Sequence, residues 1–104
     1  MEGPNNNIQN KTEYNINLIQ NIFYNSQKTN NIFELEYMVS NIESINTNNK
    51  NIDNLKKSAL ENITIRIAYI KRIKELKEKN PKHPNIQVLE EDIRKLKEEK
   101  LENN

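Results

Sequence analysis

Between Pro4 and Pro81 the chain has no glycine and no proline, the two residues that most readily end a helix. Within that stretch Ile52, Leu55, Ala59, Ile63, Ile67, Ile70, Ile73 and Leu76 recur at three- and four-residue intervals, which places them along one face of a helix. Burying eight such residues contributes roughly 10–20 kcal/mol before the entropy of ordering the chain is subtracted. The spacing predicts an all-α protein. Only 34% of the 104 residues are hydrophobic, a low share for a chain that must bury its own core. The expected architecture is therefore extended helices that form a coiled coil or helical bundle with partner chains. In that reading the Ile52–Leu76 stripe is the main partner-helix contact, and Ile86, Leu89, Ile93 and Leu96 form an accessory one.

The chain divides by composition. Residues 1–13 are polar and low in complexity and read as a disordered Asn-rich tail. A helical region covers 14–79, with a candidate break at 47–51, where Thr47-Asn48-Asn49-Lys50-Asn51 favours turns and caps. Asn80-Pro81 ends it, because a residue before proline is pushed out of helical geometry. Residues 80–84 read as a Pro linker and 85–102 as a C-terminal amphipathic helix capped by Asn85. Ile63-Thr64-Ile65-Arg66-Ile67 alternates like a strand, but helix formers flank it on both sides, and the helix is preferred. A helix there leaves Ile65 on the flank of the stripe.

The composition speaks against an enzyme. There is no cysteine, so neither thiolate chemistry nor a disulfide framework is available. The single histidine, His83, lies between Lys82 and Pro84 with no companion ligands, so no metal or other cofactor is expected. Glu90, Glu91, Asp92, Glu98 and Glu99 read as a solvated helix face, and phosphate-cradling loops need glycines that this chain lacks. The sequence also has no eighteen-residue apolar run, no basic-then-apolar leader and no Met-Gly start, which predicts a cytoplasmic protein. Asn10-Lys11-Thr12 and Asn62-Ile63-Thr64 match the glycosylation sequon as chance matches in an Asn-rich chain.

Charge is segregated although the net charge is only +1. Residues 50–79 hold nine Lys or Arg against four acids, and residues 1–49 hold two against five. The preferred reading is a solvated flank beside the helix seam. The alternative is a basic module for nucleic acid or anionic membrane, which the absence of tryptophan and of aromatic interleaving disfavours. A self-assembling homo-oligomeric coiled coil is a further alternative.

Two blocks, Asn21 to Phe33 and Ala68 to Lys77, with the distance between them, resemble the KxDL-motif family of small helical subunits. The tetrad that names that family is absent: Ile63-Thr64-Ile65-Arg66 stands in its place, and Lys57-Ser58-Ala59-Leu60 echoes it without the acid. The resemblance implies a scaffold subunit of a BORC-type complex, related to BLOC, on the cytosolic face of lysosomes. Its role there would be organelle positioning and vesicle trafficking. Its partners would be other small helical subunits, with no catalytic residue.

Overall fold

A computed structural model describes the backbone of residues 4–101 and the side chains of 11–101. Among the described residues there are four helices and no strand: α1 Pro4–Ser26, α2 Ile32–Glu43, α3 Lys50–Lys79 and α4 Pro84–Glu98. The Ile63–Ile67 segment is helical. The molecule is a rod of 64 × 23 × 20 Å, and α3, whose 30 residues span about 45 Å, accounts for most of its length. α1 and α2 pack on the first part of α3 and on each other, whereas α4 packs on α3 alone. Cross-links fix the directions. Lys71 near the middle of α3 reaches Glu36 early in α2, and Asn62 reaches Leu96 at the end of α4, so both neighbours run antiparallel to α3. The result is a three-helix body and a two-helix arm that share α3.

Two of the helix starts use the same three letters. In Thr29-Asn30-Asn31 the Thr29 Oγ1 accepts the Asn31 N–H at 3.0 Å, and Asn31 Oδ1 accepts the Glu34 N–H at 3.0 Å. In Thr47-Asn48-Asn49 the Thr47 Oγ1 accepts the Asn49 N–H at 2.9 Å, and Asn49 Oδ1 accepts from Asn51 and Ile52. Each threonine bends the chain and each asparagine is the N-cap that satisfies free amides of the next helix. The break expected at 47–51 is therefore present, but the one at 27–31 divides a region read as continuous.

Three further readings are corrected. α1 begins at Pro4, so the tail assigned to 1–13 is helical from there. Proline suits the first turn of a helix, and extending a helix already nucleated by the packed residues Asn15 to Ser26 costs little even for a polar sequence. Residues 1–3 lie outside the described part. The C-terminal helix ends at Glu98 rather than near 102. Glu99 turns to extended geometry, which lets Leu101 join the core, and residue 102 is outside the described part. Finally, α4 is capped by His83, whose Nδ1 accepts the Asn85 N–H at 3.1 Å, with Pro84 at the first helical position.

The first five residues of the stripe find cover within the chain. Ile52, Leu55, Ala59, Ile63 and Ile67 lie in one buried cluster with Ile19 and Phe23 of α1, Leu35 and Ile42 of α2, Ile45 and Leu101. The chain's own helices cover them. The irregular apolar pattern of residues 14–46 supplies that cover because α1 and α2, packed on each other, each lay a short stretch of it on α3.

Candidate functional site

The buried centre of the rod is polar. Arg66 of α3 has 0% exposure, and its guanidinium is held at three points. Nε donates to Asn62 Oδ1 at 2.9 Å, one Nη donates to the Ser26 carbonyl at 2.8 Å, and the other to Ser26 Oγ at 2.6 Å. The Ser26 hydroxyl in turn donates to the Phe23 carbonyl at 2.5 Å. Asn62 Nδ2 donates to the Leu96 carbonyl at 2.9 Å and to Glu99 Oε2 at 3.1 Å, and Gln27 Nε2 donates to the Glu99 carbonyl at 2.6 Å. The ends of α1 and α4 are thereby tied to one turn of α3. No buried side-chain nitrogen or oxygen among the described residues lacks a partner.

The electrostatics explain why a cation belongs there. The last carbonyls of a helix carry partial negative charge, and neither α1 nor α2 has a basic residue in its last turn. α3 supplies both cations: Arg66 at the end of α1, and Lys56, whose Nζ donates to the Ile45 carbonyl just past the end of α2 at 2.6 Å. Desolvation by burial lowers the Arg66 pKa below the ordinary arginine value, while the Glu99 carboxylate opposes that shift. Part of the basic excess of residues 50–79 is thus internal. Lys71 and Arg72 are further engaged by Glu36 and Glu75.

Beside this joint the arm opens into a groove of about 510 Å³. Ile70 and Ile73 of α3 and Ile93 of α4 supply its apolar lining, and Asn30, Lys77, Glu90, Arg94, Lys97 and Glu98 the polar part. Arg94 donates to both Glu91 and Glu98 along α4, which raises its pKa. Its hydrogen bond holds the Glu91 carboxyl below the usual carboxylate range. Lys97 reaches Asn30 at 3.4 Å, which links α4 to the α1–α2 connection.

The residues marked by the sequence as a partner contact therefore divide. Ile52, Leu55, Ala59, Ile63 and Ile67 are interior to the body. Leu76, Ile86 and Ile93 are buried in the arm, and Leu89 and Leu96 are half-buried on α4. Ile70 and Ile73 are likewise half-buried and line the groove. The sequence reading missed Ser26, Asn62, Arg66 and Leu101. One signal was present: Asn62 and Arg66 are four residues apart and flank Ile63 on the buried side of α3.

A second depression is lined by Lys11, Thr12, Asn15 and Ile52 with Asn46 to Asn49, and its Thr47 and Asn49 serve to start α3. Among the described residues no three His, Cys, Asp or Glu side chains are grouped to hold a metal, and no helix is long and apolar enough to cross a membrane.

No family model, curated protein or solved structure matched this chain.

Proposed function

We propose that this chain is a non-enzymatic assembly subunit whose α3–α4 arm receives a helix from another polypeptide. The observation that carries this reading is the uneven cover on α3. Its first part is covered by α1 and α2; beyond Lys71, which reaches Glu36 of α2, it has α4 alone, and Ile70 and Ile73 stay only half-buried beside Ile93. A third helix laid there would give the arm the cover that the body already has, with apolar anchors at the spacing of helix-in-groove recognition.

The two sequence blocks that resemble the KxDL-motif family give this role a more particular form. The chain would be a cytoplasmic scaffold subunit of a BORC-type complex, acting in lysosome positioning at the cytosolic face of that organelle. The first block, Asn21 to Phe33, covers the end of α1, the turn after it and the start of α2.

The test is affinity purification of the tagged chain from its own cells, comparing wild type with Ile73→Asp on the groove and Lys57→Glu on the exposed face of α3. Proteins recovered with wild type and Lys57→Glu but lost with Ile73→Asp, while circular dichroism shows equal helix content, support the reading. Equal recovery by all three chains overturns it. Lysosome-complex subunits among the groove-dependent proteins would support the more particular form.

A further inference from the structure

The groove has a matching surface on the same chain. α2 exposes Phe33 at 83% and Tyr37 at 69%, one helical turn apart and therefore on one side of the helix. Large aromatics left this open and this close together are characteristic of an interface. α2 also holds three acids, Glu34, Glu36 and Glu43, and no Lys or Arg. The groove has the complementary character. Its lining holds Lys77, Arg94 and Lys97 against Glu90 and Glu98; with Arg94 paired to Glu91 and Glu98, the side chains without an ion pair among the described residues are Lys77 and Lys97 against Glu90, which leaves the groove net positive.

We propose that the occupant of the groove is α2 of a second copy of this chain, with Phe33 and Tyr37 against Ile70, Ile73 and Ile93 and the α2 acids facing Lys77 and Lys97. This rests on the assembly reading above and names its partner. Asn30 lines the groove and Asn31 caps α2, so ridge and groove adjoin at the α1–α2 connection. One two-fold axis can then pair each ridge with the other copy's groove, giving a closed dimer rather than a filament. Two ridges and two grooves, with each aromatic burying on the order of 150–250 Å² when covered, bring the contact to about 1,200 Å², the lower bound for a specific interface.

The test is sedimentation velocity of the purified chain over a concentration series. Wild type is expected to pass from monomer to dimer, and Phe33→Ser with Tyr37→Ser to weaken that association about tenfold or more. The charge pattern allows a stricter check. Glu34→Lys in one chain, which leaves Glu36 to its own Lys71, and Lys77→Glu in another each repel their own kind but restore both contacts when mixed. Each variant alone is expected to be monomeric and the mixture dimeric, with unchanged circular dichroism for all.

A wild type that stays monomeric overturns the inference, as does a dimer indifferent to these substitutions. If groove-dependent capture of other proteins persists in that case, the assembly reading stands with a different partner. If capture is also lost, both fail.

Discussion

Arg66 is the residue on which the two parts of the molecule meet. Its planar, forked donor set reaches Ser26 twice and Asn62 once, and a lysine ammonium at the same position presents one point charge to acceptors that lie in different directions. Arg66→Met strands those acceptors in the interior and is expected to lower unfolding free energy by about 2–4 kcal/mol. Arg66→Lys should recover little of it; denaturant midpoints for the two variants decide between geometry and charge. Full rescue by lysine would mean that charge alone holds the joint. The sequence reading treated this arginine as one more member of a basic run. Nothing in composition distinguishes a buried cation from a solvated one. The difference comes from the α1 terminus, which lies forty positions away and meets Arg66 only in the folded chain.

At the scale of elements, legibility followed how local the cause was. α3 was readable because its apolar residues keep helical spacing for seven turns, and the turn at Pro81 because proline constrains its neighbour. The same logic was available at Thr29-Asn30-Asn31, which repeats the Thr-Asn-Asn start used at 47–49 and adds Glu34 at the third helical position, as in a capping box. There the apolar residues on either side concealed the break. The end of α4 was not readable, because Glu99 leaves the helix for reasons supplied by Asn62 and Gln27 on other elements. α4 also carries a pH dependence of known sign. Its Arg94 hydrogen bond depresses the Glu91 pKa, so the stabilisation is present at neutral pH and is lost as pH falls through that depressed value. Arg94→Gln is accordingly expected to reduce thermal stability at neutral pH and to match wild type once Glu91 is protonated. An acid titration of the two melting temperatures checks this, and a difference that persists in acid would assign the effect to packing.

For the whole molecule, the all-helical class was legible, and the identity of what covers the stripe was not. A low apolar fraction suggested that cover must come from other chains. The rod meets the same requirement with short helices, each laying a few apolar residues on α3, and with cations from α3 closing the ends of α1 and α2. Ile70 and Ile73 are where the original expectation keeps its force, since only there does the stripe stay partly open. The central claim is thus that the chain folds by itself and associates through its arm. Segment-resolved hydrogen exchange on the purified chain, at a dilution where sedimentation shows a monomer, tests this most directly. Slow exchange is expected at Ile19 to Phe23, Leu35 to Ile42 and Leu55 to Ile67, with faster exchange toward the Pro81 turn. Uniformly rapid exchange through Leu55 to Ile67, slowed only on adding another protein, would contradict it and return the stripe to a partner.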